Sequence, residues 1–158
     1  MTATSADATL VTRYLAGDRN ALAALYDRFA PSLYDTAAAM LSDRDEAADV
    51  VQDTFLVAAE RMGQLRDPER IKAWLFAIAR HEIYRRTKRR HRVTPSEWVP
   101  EMAAPADVHA EAELASYEEL AALVRDATAG LDERDRLVLE LSVRQGLQGA
   151  DLAAALGV

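Results

Sequence analysis

The amino-acid sequence predicts an all-α protein made of two small helical domains joined by an extended linker. Three observations point there. Half of the 158 residues are apolar, while Gly and Pro number only 6 and 5, a composition that suits helices. Apolar side chains recur at three- and four-residue steps through most of the chain, the period of a helix with one buried face. Prolines gather in residues 93–107, which hold three of the five and show no helical period; such a stretch reads as a linker. The expected division is a helical block at 1–92, the linker at 93–107 and a second block at 108–158.

Within the first block, Leu10, Tyr14 and Leu15 predict a short helix closed by Gly17. Asp18 caps a second helix, in which Leu22, Leu25, Phe29, Leu33, Ala37 and Leu41 repeat on one side. Pro31 interrupts that pattern, so a kink or a local break is expected there. Ser42 or Asp43 starts a third helix, whose acidic first turn of Asp43, Asp45 and Glu46 suits the positive end of the helix dipole. Its core side is Val50, Thr54, Val57, Ala58 and Met62, and Gly63 ends it. After the loop Gln64-Leu65-Arg66, Asp67 and Pro68 restart the chain as a fourth helix: Asp accepts free amide hydrogens and proline fits the first helical position. Ile71, Trp74, Leu75, Ile78 and Ile83 face the core, and Phe76 suits either side. In the second block a helix is expected near 108–129, another opens at an Asp cap within 131–135 and runs to Gly146, and a last one spans Gly149 to Leu156.

Charge is distributed very unevenly. Residues 61–92 carry 11 Lys or Arg against 3 Asp or Glu, whereas the whole chain has 19 against 26 and a net charge of −7. An acidic protein that concentrates positive charge on one helix and its approach points to a polyanionic partner at that helix. Other classes find little support. With no cysteine and three scattered histidines, disulfides and thiolate metal sites are excluded and a histidine metal cage is not expected. No glycine-rich phosphate loop is present, and the carboxylates sit at helix starts or on polar faces, so no cofactor and no catalytic activity are expected. The N-terminus lacks a basic segment followed by an apolar core, and no apolar run approaches the roughly 20 residues that span a bilayer. A cytoplasmic protein without membrane insertion is the expectation.

Three stretches, taken in order, resemble a bacterial RNA polymerase sigma factor of the extracytoplasmic-function group of the sigma-70 family. Glu46-Ala-Ala-Asp-Val-Val-Gln-Asp-Thr-Phe-Leu56 looks like that family's core-polymerase-binding helix. Ile71-Lys-Ala-Trp-Leu-Phe-Ala-Ile-Ala-Arg80, with Tyr84-Arg85-Arg86, is similar to its promoter-melting and −10-recognition helix. Leu131 to Leu139, continued by Gly149 to Val158, looks like the start of a C-terminal helix-turn-helix. The resemblance thus implies a region 2-like domain and a partial region 4-like domain. The family commonly has Asn after the Ala-Arg pair, where this chain has His81, so the preferred −10 sequence is expected to differ. The chain reaches Val158 where the turn begins, and the favoured reading is that the recognition helix, which would enter the major groove, has been trimmed away.

Two constellations carry the expected function. On the third helix Asp49, Gln52 and Asp53 share one face, with Phe55 and Leu56 near its edge. Read from residues alone, this is either a solvated face beside two core residues or a patch for a basic partner with an apolar centre. The resemblance implies the second, with core RNA polymerase as partner through the clamp helices of its β′ subunit, and the β flap as a further contact. On the fourth helix Arg80, Tyr84 and Lys88 form one stripe with His81 and Arg85 alongside. Cations there suit phosphates, and Tyr84 or His81 offers a ring to an unstacked base. A basic turn that merely answers the helix dipole needs one or two cations, fewer than Arg85, Arg86, Lys88, Arg89, Arg90 and Arg92 supply. By resemblance, Gln64 and Arg66 lie in the −10 specificity loop, and a loop of this kind can frame a pocket for a flipped base. The resemblance also implies an anti-sigma factor as partner, and a passage of the acidic linker through the polymerase cleft. The leading expectation is therefore a promoter-specificity factor that binds core RNA polymerase and melts the −10 region. Its rivals are a helical adaptor with loose nucleic-acid affinity and a helix-turn-helix repressor, the latter needing a complete recognition helix and a dimer interface.

Overall fold

Helix starts in this protein are set by side-chain caps. In the computed structural model, which describes residues 4–93, 119, 123, 126–127 and 129–158, Ser5 accepts from the Ala8 amide and opens α1 (Ala6–Leu15). Asp18 accepts from Asn20 at the start of α2 (Arg19–Leu41), and Asp43 from Glu46 at the start of α3 (Arg44–Arg61). A 3-10 turn, Met62–Gln64, follows α3. Asp67 then caps a second such turn, Pro68–Arg70, which runs directly into α4 (Ile71–Val93). In the C-terminal part Asp132 accepts from Asp135 and opens α5 (Glu133–Leu139), which widens into a single π turn at Glu140–Arg144. The last helix, α6 (Gly149–Leu156), ends at Gly157 in the left-handed conformation, φ 72°. Among the described residues there is no strand. The expected linker beyond Val93 and most of the helix expected at 108–129 lie outside the described residues.

Pro31 does not break α2. The helix is continuous from Arg19 to Leu41 with Pro31 inside it and exposed. Leu25, Phe29, Leu33, Ala37 and Leu41 on one side are all buried, and this burial on both flanks of the proline holds the helix together despite the lost hydrogen bond.

Four helices form the first block, with α2 packed on both α1 and α3, and α3 packed on α4. Polar ties fix the angles: the Tyr14 hydroxyl donates to the Ala59 carbonyl at 3.0 Å, and the Ser5 amide to Glu69 Oε1 at 2.9 Å. The core runs through Leu25, Leu33, Val50, Met62, Ile71, Leu75 and Ile83 and continues into Leu137, Leu141, Leu147 and Ala155 of the C-terminal part. α6 lies against α4. Lys72 Nζ donates to the Gln145 carbonyl at 2.6 Å, and Arg136 to the Ala39 carbonyl at 3.2 Å. Lys72 thereby caps a carbonyl that the end of the π turn leaves free of the helix, a role suited to a cation at a helix C-terminus.

Candidate nucleic-acid and protein interfaces

α3 buries Val50, Val51, Thr54, Phe55 and Ala58. Its opposite edge leaves Asp49, Gln52 and Leu56 in solvent, with Leu56 64% exposed. Phe55 departs from the expected exposed pair. It is 7% exposed and packs under the ring of Tyr26, centroids 4.9 Å apart and planes tilted by 57°. The apolar centre of this edge is thus Leu56, with Tyr26 of α2 partly exposed above Phe55.

Asp53 also differs from expectation. It is half-buried and accepts from Arg86 of α4 at 2.6 Å. Arg86, whose side chain is only 13% exposed, donates to Glu82 at 3.2 Å as well. Burial works against the Arg86 charge, but the hydrogen bonds and charges of Asp53 and Glu82 outweigh it and hold the guanidinium above its ordinary pKa. Arg86 is therefore an internal clamp between α3 and α4, and it leaves the set of cations open to phosphates.

The outer side of α4 presents His81, Arg85 and Lys88 to solvent. Arg85 is paired with Glu82 at 2.9 Å yet remains largely exposed. Arg80 sits 6.0 Å from the Tyr84 ring centre, a cation–π distance, and both residues are half-buried. Burial, together with the carboxylate of Glu133, pushes the Tyr84 phenol above its usual range. Gln64 and Arg66 are exposed where the chain enters α4. Beside them an open, largely apolar pocket of about 190 Å³ is lined by Leu65, Arg66, Arg70, Trp74, Ala77 and Ala154. Phe76, which suited either side by sequence, is 1% exposed and belongs to the core.

The family profile of Sigma-70 region 2 matches residues 25–93, the span from α2 through α4. Over 141 residues the chain is 35% identical to the ECF RNA polymerase sigma factor SigL of Mycobacterium tuberculosis, covering 85% of this chain and 76% of that protein. The chain belongs to the extracytoplasmic-function RNA polymerase sigma factors. SigM of the same organism is 29% identical over 154 residues, 96% of this chain and 74% of that protein. A solved structure of CnrH in complex with the cytosolic domain of CnrY superposes with a TM-score of 0.68 at 26% identity, covering 98% of this chain and 84% of that one. The activity of this protein is that of an alternative sigma factor in transcription initiation.

The sigma factor's candidate residues fall into three groups. Asp49, Gln52 and Leu56 share the exposed edge of α3, and Gln64, Arg66, His81, Arg85 and Lys88 are exposed around α4 and its approach. Arg80 and Tyr84 lie on α4 but partly beneath the C-terminal segment, while Asp53 and Phe55 face inward. Sequence reasoning missed Tyr26, Glu82 and the pocket residue Arg70; it read Arg86 as one of the phosphate-facing cations and Trp74 as core, whereas Arg86 clamps Asp53 and Trp74 also lines the pocket. The Asp53–Arg86 pair spans 33 positions, and no local spacing rule connects residues that far apart.

Proposed function

We propose that the exposed edge of α3, centred on Leu56 with Tyr26, Asp49 and Gln52 around it, seats on the β′ clamp helices of core RNA polymerase. The outer face of α4 and the 64–66 loop take the single strand of the −10 element. The observation that carries this reading is charge separation: residues 61–92 hold 11 of the chain's 19 basic residues and only 3 of its 26 acidic ones. Exposed Arg85 and Lys88 neutralise phosphates, Tyr84 and His81 stack on or bond to bases, and the pocket beside Gln64 and Arg66 receives a flipped base. Contacts with phosphates set affinity, and contacts with bases set preference. The C-terminal block engages the β flap, and the work is done by binding and duplex opening, without cofactor or catalysis, in the cytoplasm. That CnrH is solved with the cytosolic domain of another protein supports a regulatory protein partner here, which the family makes an anti-sigma factor.

Fluorescence anisotropy with labelled −10 non-template strands at two salt concentrations tests the DNA face. Arg85→Ala and Lys88→Ala weaken binding to all sequences alike and each lower the salt slope by about 0.7, whereas Gln64→Ala and His81→Ala change base preference. Salt-insensitive binding, or no effect of the two cation variants, refutes the assignment. A pull-down with core polymerase tests the other face: Leu56→Asp reduces capture at least tenfold, with circular dichroism unchanged.

A further inference from the structure

Where the family commonly has Asn, this chain has His81, and the ring is exposed on the outer side of α4. Its neighbours at helical spacing are Ala77, Ile78, Tyr84 and Arg85, with Lys88 one turn further on. None of them is a carboxylate. Glu82, next in sequence, is buried and holds Arg85 at 2.9 Å and Arg86 at 3.2 Å. Other carboxylates around α4 are committed as well. Asp53 of α3 pairs with Arg86 and Asp151 of α6 with Arg70, while Asp132 and Glu133 at the start of α5 act, with Arg134, on Tyr84. Among the described residues His81 itself makes no hydrogen bond, ion pair or ring contact. Imidazole is the side chain that changes charge near neutral pH, and the change alters what it can bond. The neutral ring carries one donor and one acceptor, as the Asn amide offers both, whereas the protonated ring only donates.

We propose that His81 is a specificity-determining residue whose choice of base depends on its own protonation. Neutral, it donates to one base atom and accepts from the amino group of adenine or cytosine, as Asn does at any pH. Charged, it can only donate, so it favours the keto oxygens of guanine and thymine and adds a positive charge beside Arg85 toward the strand's phosphates. The inference rests on the assignment of the outer face of α4 to −10 DNA. Its direction with pH follows from linkage. In the free protein the protonated ring has Arg85 beside it and no carboxylate at helical spacing, whereas the bound strand supplies the opposite charge. Proton and strand therefore strengthen each other's binding reciprocally. A proton is taken up as the strand binds, and affinity rises as pH falls.

The test uses the full chain assembled with core RNA polymerase, and core polymerase alone as the blank. Strands are selected from a randomised single-stranded DNA pool at about pH 5.5 and about pH 8. The enriched strands are then titrated by fluorescence anisotropy at two salt concentrations. Wild type binds about fivefold more tightly at the lower pH, gains about 0.7 in salt slope there, and shifts one selected position toward guanine or thymine. His81→Asn loses all three effects, although it keeps His91, His109 and every carboxylate. His81→Arg, charged throughout, shows the low-pH preference at both values. A wild type whose affinity and selected base are the same at both pH values, or a His81→Asn protein that keeps the pH effect, overturns the role of His81 and leaves the −10 face standing. If no strand is enriched over core polymerase alone at either pH, the assignment of α4 to the −10 strand fails, and the role of His81 with it.

Discussion

Arg86 shows how position on a helix can mislead about role. It stands in a run of cations that as a whole reads as a phosphate surface, yet its side chain turns inward to Asp53 and Glu82. Truncating it leaves two carboxylates facing each other at a poorly solvated seam, and a buried ion left without its partner is costly. Because Asp53 is about a third exposed, the expected cost of Arg86→Ala is reduced to about 1–3 kcal/mol. Asp53→Asn costs less, and the double variant costs clearly less than the sum, as urea unfolding of the four proteins will show. Additive losses would mean that the pair does not join α3 to α4. The same geometry means that a polymerase defect of an Asp53 variant must be separated from loss of stability, whereas Leu56 is free of that ambiguity.

At the scale of the element, the starts of the helices were legible and the path between them less so. The caps Asp18, Asp43, Asp67 and Asp132 act where the sequence placed them, because capping is a local bond over two or three residues. The break that was one of the two outcomes expected at Pro31 does not occur, because its local penalty is outweighed by a core that only the assembled helices create. That penalty should be measurable. Pro31→Ala restores a hydrogen bond and removes a ring clash at an exposed site, so it stabilises the protein by about 1–3 kcal/mol in urea unfolding. A loss of stability would instead show that α2 needs the proline's local geometry for its packing against α1 and α3.

Across the whole molecule, the seam between the first block and the C-terminal segment contains a buried carboxylate. Burial raises the pKa of Glu140 against the pull of its partner Arg144, and Asp35 of α2 adds to the rise. The sign follows from proton uptake. With its pKa raised on folding, Glu140 binds a proton in the folded state at a pH where the unfolded chain has released it. Its contribution is thus most favourable below the ordinary carboxylate range, about 4.3, and is lost as pH rises through the folded value. Glu140→Gln removes that loss. The variant's stability relative to wild type is expected to be higher at pH 7 than at pH 4, measured as the difference in thermal midpoint. An unchanged difference across this range would place Glu140 in water.

The sequence by itself determined the helical class, the caps, the concentration of positive charge on α4 and the family, because each depends on residues close together or on composition. The exposed candidates on α3 and α4 were likewise legible, since helical period alone puts Asp49, Gln52, Arg85 and Lys88 on polar faces. Only the tertiary structure decided that Phe55 lies under Tyr26, that Arg86 clamps Asp53, and that α6 rests on Arg80. These are contacts between helices, fixed by how whole faces pack, and a pattern read along one helix holds no information about the face it will meet.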